Sequence, residues 1–414
     1  MFWNSRRDRY SKAVQYAKEH WKNYDVAYTL VCSHVVSPQD LDVVAKPLYD
    51  CFDRILQENP ESEILINLSS GTPQMKTILS MIAMDGSIRT IKGIQVASPE
   101  GKSGTTERTN KGDYAVEEEL ECNEDEDPSA PNRCTEPKLS SIERDRTRAQ
   151  VRKLIEQRDY RALASFSAKL PLSIQNLVNH LALRNDLQSE EAEKLSKEIK
   201  QSMGIDLYPH KGNFKDAKGR QYKELSEYYL LLRNLEKTQR YSEFVLRLNP
   251  FLTVMLQYIL QDCLPEHAKG VLVTSYDGKV KFRGSVLHDV MPDLAAELET
   301  ECRFTLDDRD FGMRVGVPLL RKIRQNKVPD FVLETFIACE RLNNGERNRL
   351  AHQLHAVTEQ DIESSCMDSQ GKHYKPHELC HSLGKMLAYA YPEYCDEKLF
   401  KIYDECNAYM MERL

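Results

Sequence analysis

A chain of 414 residues with 57 basic and 64 acidic side chains, a net charge of −7 and 41% apolar residues has the make-up of a soluble globular protein of two to three domains. That charge argues against sequence-blind binding to duplex nucleic acid, and no window approaches the ~20 apolar residues of a membrane span. The start, MFWNSRRDRY, leads into no apolar signal segment, and eleven scattered cysteines without a C-x-x-C pair read as reduced thiols of a cytoplasmic protein.

The first hundred residues alternate helix and strand signals. SRRDRYSKAVQYAKEH reads as a helix, DVAYTLVCSHVV as a strand and PLYDCFDRILQ as a helix with an apolar face at Leu48, Phe52, Ile55 and Leu56. EILINL is a short buried strand, SSGTPQ a turn, MKTILSMIAMDG a helix and TIKGIQVASPEG a further strand. This alternation predicts a parallel α/β sheet. Residues 100–140 turn polar, then acidic and Pro-containing, as a solvated connector does. From 141 onward helical periodicity dominates: IERDRTRAQVRKLIEQRDYRALASF reads as one helix, followed by four more up to Cys263. AKGVLVTSYDGKVKFRG, with Asp-Gly between two β-rich runs, predicts a hairpin before helices return.

Three clusters have the residue types for chemistry. SSGTPQ follows a parallel strand and opens a helix, where unpaired N–H groups and the helix dipole favour an anion. Simple N-capping by Ser70 or Thr72, with Pro73 early in the helix, explains the same residues, and physics alone leaves both readings open. GKSGTT lacks the spacing of a Walker A loop. The second cluster, NNGERNRLAHQLH, contains Arg347 and His352 as R-x4-H. A cation that stabilises a phosphorane and a group that moves protons near neutrality are the parts for phosphodiester cleavage without metal. On a regular helix the two lie about 140° apart, awkward within one helix and natural in a site shared by two copies. Arg349 with His355 fits a looser spacing, and a solvated surface helix fits as well. The third cluster, Cys366, His373, His377, Cys380 and His381, has ligand types but no recognisable zinc spacing, so no metal site is assigned.

EILINLSSGTPQM followed by GIQVASP resembles the CARF domain of CRISPR-associated ancillary ribonucleases, and NNGERNRLAH resembles their HEPN motif, R-N-x-x-A-H. Taken together, in this order, they resemble the type III-A CRISPR-associated CARF–HEPN endoribonucleases, the family of the sixth protein of the Csm set. The resemblance implies an α/β Rossmann-like CARF domain over 1–115, an acidic linker or loop over 116–140, a helical connector over 141–222 and a HEPN ribonuclease domain over 223–414. Family members open with a strand, loop, helix and strand that this sequence lacks, so the CARF domain is expected to be N-terminally incomplete.

What the resemblance implies for function is a homodimer that cuts single-stranded RNA when cyclic oligoadenylate binds its CARF domains, with hexa-adenylate expected over tetra-adenylate. It implies cleavage without metal, no stable DNA complex and no membrane association. By that match Arg347 and His352 are the catalytic pair, Asn348 supports them and the Arg349/His355 pairing is set aside. Ser69, Ser70, Gly71, Thr72 and Gln74 fall on the ligand-facing loop, with Thr72 the candidate for slow cleavage of the activator. The alternative from another class is a CARF nucleotide sensor that regulates a partner without cutting RNA, which leaves the R-x4-H motif unexplained. A HEPN ribonuclease without allosteric control is a third.

Overall fold

The computed structural model describes residues 14–16, 18–19, 29, 31, 37, 39–84, 91–97, 127, 129–138, 140–212, 214–275, 279–325, 327–347, 349 and 356–414; the side chains of 140–143 and of Arg347 also lie outside the description. The chain divides into two compact units, Met1–Thr147 and Arg148–Leu414.

In the first unit, helix α1 (Leu41–Glu58) starts one and a half turns before the predicted Pro47. Asp40 explains the difference. Its carboxylate accepts the N–H groups of Asp42 and Val43 at 3.0 and 3.4 Å, and Val44, Leu48 and Phe52 then fall on one buried face. Pro47 sits inside the helix and withholds one backbone N–H, a loss offset by that cap and that burial. Strand β1 (Ile64–Asn67) pairs in parallel with β2 (Ile91–Val96), Ile64 opposite Ile91 through Asn67 opposite Ile94. Between them runs helix α2 (Pro73–Ala83), whose Ile78 and Ile82 join Val44, Leu48, Phe52, Ile66 and Leu68 in a small core. Gly93 lies beneath Leu68, where a Cβ would come within 2.7 Å of Leu68 Cδ1, so a larger residue there would displace the Leu68 side chain. A third strand, β3 (Cys134–Thr135), pairs antiparallel with the end of β2. The strand read at 25–36 lies, except for two positions, outside the described residues.

The second unit is mostly helical. Helix α3 (Ser140–Glu156) spans the division between the units and ends at a break. The single helix predicted over 142–166 stops there because Arg158 takes a left-handed backbone (φ 53°) and Asp159 caps α4 (Tyr160–Ser165) by accepting from Ala162 N–H at 3.0 Å. The conformation is held by side-chain bonds, since Arg158 pairs with Asp404 and donates to Asn234. Helices α5 (Leu172–Asn185), α6 (Ser189–Met203), α7 (Ala217–Lys237) and α8 (Tyr241–Cys263) follow. The predicted hairpin is present as β4 (Leu272–Thr274) and β5 (Val280–Phe282), antiparallel, with its tip outside the described residues. A two-residue strand β6 (Arg309–Asp310), too short to leave a sequence signal, pairs with β5. Helices α9 (Gly284–Val290) and α10 (Pro292–Cys302) lie between those strands in sequence; α11 (Met313–Ile323), α12 (Asp330–Leu342), α13 (Glu359–Ser365), α14 (Pro376–Ala390) and α15 (Ile402–Arg413) complete the unit. One apolar core runs from Val151 to Leu414. Among the described residues no helix is long and apolar enough to cross a membrane.

A buried ion pair crosses that core. Arg184 on α5, fully enclosed, donates from Nε and Nη2 to the two oxygens of Glu227 on α7 at 2.5 and 2.7 Å, and from Nη1 to Leu207 O at 2.8 Å. Its plane lies 4.4 Å from the ring of Tyr208. Removing one partner strands the other charge away from water, so Arg184→Ala is expected to lower stability by about 3–5 kcal/mol, while Arg184→Met with Glu227→Leu loses distinctly less. The midpoints of urea unfolding compare the two directly.

Candidate functional site

The loop after β1 is fixed by its own polar side chains. Asn67 Oδ1 accepts the N–H of Ser69 at 2.8 Å, a local turn that bends the chain out of the strand. Ser69 Oγ accepts the N–H of Val96 at 2.5 Å and so ties this loop to the end of β2. Gly71 adopts φ +105°, open to glycine and strained for other residues. Thr72 is the N-cap of α2: its hydroxyl accepts from Met75 N–H at 3.3 Å and Pro73 fills the first helical position. Ser70 and Gly71 are exposed, while Ser69, Thr72 and Gln74 are half-buried. The structure therefore brings all five predicted residues to one strand-to-helix turn at the carboxyl end of a parallel strand, where open α/β sheets receive ligands. It also assigns a structural duty to two of them: Ser69 holds the sheet edge, and Thr72 caps the helix.

The second candidate lies at the end of α12. This helix buries Val332, Thr335, Phe336, Cys339 and Leu342, then opens into a single π-turn over Asn343–Arg347. Such one-turn widenings recur at functional sites. Asn343, buried, donates from Nδ2 to Asn249 Oδ1 at 3.3 Å. Glu346 is 3% exposed; its carboxylate accepts from Arg349 Nη1 at 3.0 and 3.2 Å and from Ser365 Oγ at 3.1 Å. Arg349, one member of the looser R-x5-H spacing, thus has its guanidinium engaged by Glu346. Of the predicted catalytic residues, Arg347 ends the π-turn; its side chain, Asn348, His352 and also His355 lie outside the described residues. Sequence reasoning did not single out Glu346, Asn343 or Ser365. The spacing did contain a signal: Glu346 continues the buried stripe Cys339, Leu342, Asn343, and a carboxylate in that position is out of place unless it has partners.

The Cys/His cluster does not assemble. Cys366 and Cys380 are buried, and burial pushes each thiol up to about 12, away from the thiolate a metal needs. His373 sits 2.7 Å from the carbonyl of Glu363, and His377 and His381 are exposed. Among the described residues no three His, Cys, Asp or Glu side chains are grouped to hold a metal ion. A groove of about 450 Å³ on the β4–β5–β6 sheet is lined by Val273, Lys281, Arg283, Asp308 and Arg309. Its three cations are answered by Asp310, Asp308 and Asp307, so it presents no surplus charge to an anion.

Comparison with known proteins agrees with this arrangement of two elements. Residues 27–134 match the family described as the Cas_Csm6 CARF domain, and residues 209–411 match the Cas_Csm6 HEPN domain. The chain belongs to the Csm6 family. It is 27% identical over 262 residues to the CRISPR system endoribonuclease Csm6 of Mycobacterium tuberculosis, a match over 59% of this chain and 59% of that protein. It is 28% identical over 201 residues to the Csm6′ endoribonuclease of Streptococcus thermophilus, 44% of this chain and 50% of the relative. The matched stretches thus span less than two thirds of these relatives' own lengths. The solved structure of Enterococcus italicus Csm6 bound to cyclic hexa-2′-fluoro-hexa-dAMP has the same fold, with a TM-score of 0.55 at 19% identity, covering 92% of this chain and 82% of that one. The loop at 67–75 falls inside the Csm6 CARF match and the π-turn inside the Csm6 HEPN match.

The loop geometry generates an expectation for stability. Thr72→Ala removes the cap of α2 and should cost about 1 kcal/mol. Gly71→Ala adds a Cβ at positive φ, 3.3 Å from Met75 Cβ, and should cost more, of order 1–3 kcal/mol. Amide hydrogen exchange along α2 measures both; equal protection in Gly71→Ala and the parent would refute the strained-turn reading.

Proposed function

We propose that this chain is a cyclic-oligoadenylate-activated endoribonuclease of type III CRISPR defence, working as a homodimer on single-stranded RNA. The observation that carries the reading is the intact R-N-x-x-A-H sequence, Arg347 to His352, within the stretch matched by the Csm6 HEPN family and starting at the last residue of the π-turn. His352 moves protons: the 2′-hydroxyl of one ribose loses its proton and attacks the adjacent phosphate, and the leaving 5′-oxygen gains one. Arg347 stabilises the charge that builds on the phosphorane, with Asn348 in support. The products are a 2′,3′-cyclic phosphate and a 5′-hydroxyl. This chemistry requires no metal, and DNA, without the 2′-hydroxyl, escapes it.

Activation is assigned to the loop Ser69, Ser70, Gly71, Thr72 and Gln74. In a two-fold dimer two such loops make a symmetric cradle for a symmetric ring. The ligand can gate cleavage only by the difference in its affinity for two arrangements of the protein. Cyclic hexa-adenylate is proposed over tetra-adenylate, in keeping with the hexameric ligand named for the E. italicus structure.

Three measurements test the reading. His352→Ala should lower single-turnover cleavage of a fluorescent single-stranded RNA by about 10²–10⁴-fold, with the unfolding midpoint unchanged; wild-type rates in His352→Ala beside loss in His355→Ala would mean that the wrong pair is assigned. Activity should persist in EDTA, and its disappearance with recovery in Mg²⁺ or Mn²⁺ would end the metal-free mechanism. Thr72→Glu, which sets a carboxylate against an anionic ring, should raise the half-activating concentration of cyclic hexa-adenylate about tenfold or more. A titration superimposable on wild type would show that the ring binds elsewhere.

A further inference from the structure

The π-turn that leads to Arg347 is held from two sides by buried polar groups, Asn343 and Glu346, neither of which has a part in the chemistry proposed above. Asn343 secures the first residue of the turn to Asn249 on α8, and Glu346 secures the fourth to Ser365, the last residue of α13. Glu346 also receives Arg349 on both oxygens, so the residue before Arg347 is joined to the one two positions after it. A carboxylate only 3% exposed is costly unless its lone pairs are filled, and here three hydrogen bonds from two side chains fill them. A π-turn has poorer backbone bonding than the α-helix it interrupts and persists where its surroundings fix it. Nothing apolar could replace this carboxylate and still tie α13 and Arg349 to the turn. The turn lies next to α13 at Gly345, where a Cβ would stand in ordinary contact with Ser365 Oγ at 3.6 Å.

We propose that Glu346 is a positioning residue: through Ser365 and Arg349 it fixes the backbone from which Arg347 departs toward the scissile phosphate. The inference rests on the ribonuclease reading. It assigns Arg349 a role as well, as the cation that neutralises Glu346 and not as a member of a second catalytic pair. A transition-state group displaced by about 1 Å can cost 10²-fold in rate, so the effect should fall on turnover and leave substrate binding nearly unchanged.

The test uses the full-length chain with cyclic hexa-adenylate and a fluorescent single-stranded RNA, comparing wild type, Glu346→Gln, Glu346→Ala, Ser365→Ala and the Glu346→Gln/Ser365→Ala double variant. Glu346→Gln, which keeps the size and one acceptor but loses the charge, should lower kcat roughly 10-fold with KM for RNA and the half-activating concentration within about twofold of wild type. Glu346→Ala should approach 100-fold, and Glu346→Gln recovers part of that loss. Ser365→Ala is a small change that leaves the fold intact and should show a milder loss of kcat. The double variant should lose less than the sum of the two, because Glu346→Gln weakens the same Ser365 contact that Ser365→Ala removes. Hydrogen exchange at the amides of 344–349 should quicken in Glu346→Gln while the melting temperature stays put. Wild-type kcat in both Glu346→Gln and Ser365→Ala would overturn the positioning role alone. So would a loss of kcat that simply follows a fall in melting temperature. A wild-type chain that cuts no RNA with activator would overturn the ribonuclease reading, and the role of Glu346 in it.

Discussion

A guanidinium out of reach of water must be answered on every side, and the Arg184 site is built around that demand. Glu227 supplies both carboxylate oxygens, Leu207 a carbonyl and Tyr208 a ring face. These partners come from α5, from the segment after α6 and from α7, so the helices near the start of the second unit are pinned to one that enters the HEPN-matched stretch. The apolar core around the pair is continuous from Val151 to Leu414. A protein interior of this kind is close-packed and transmits strain. Side chains far apart in sequence, such as Arg158 with Asp404 and Tyr160 with Asn407, close the same body beside the pair, where the ring of Tyr403 lies 5.4 Å from that of Tyr160 and 5.9 Å from the Arg184 guanidinium.

Much of this arrangement could be read from the chain. The β1–α2–β2 unit follows from EILINL, SSGTPQ and the helix after it, and the hairpin follows from two β-rich runs about an Asp-Gly. Where the reading slipped, a side-chain interaction overrode local preference. The apolar face of PLYDCFDRILQ put the helix start at Pro47, but the Asp40 cap and the burial of Val44 put it earlier. The stretch 142–166 contains neither glycine nor proline to mark a break, yet Arg158 takes positive φ because Asp404 and Asn234 hold its side chain. Such long-range partners leave no trace in a local window. Strands of two residues, Cys134–Thr135 and Arg309–Asp310, are likewise defined by their neighbours and not by their own composition.

The candidate sites were legible to a different depth. For the loop, residue types and order gave two competing readings, N-cap and ligand loop; the structure shows the first, with Thr72 capping α2 from within the turn. What the sequence did not reveal is that Ser69 is engaged by the Val96 backbone 27 residues away. For the HEPN motif, R-x4-H was visible, while the carboxylate beside it was passed over as one acidic residue among many. Its burial depends on Ser365, which only the fold brings near.

The two sites share a physical logic. Each lies where regular backbone gives way, at a strand-to-helix turn with a glycine at φ +105° and at a π-turn in the continuation of a helix. Irregular backbone brings unpaired donors and acceptors toward a ligand, which regular helices and sheets keep for themselves. The same irregularity has to be stabilised by side chains, and those side chains are Asn67, Ser69 and Thr72 in one case, Asn343 and Glu346 in the other. Counting 100° per residue along a regular helix cannot then give the direction of Arg347 relative to the buried face of α12, because the widened turn shifts the phase between them. The phase of the backbone at Arg347 is accordingly that of the widened turn, which Asn343 and Glu346 hold in place.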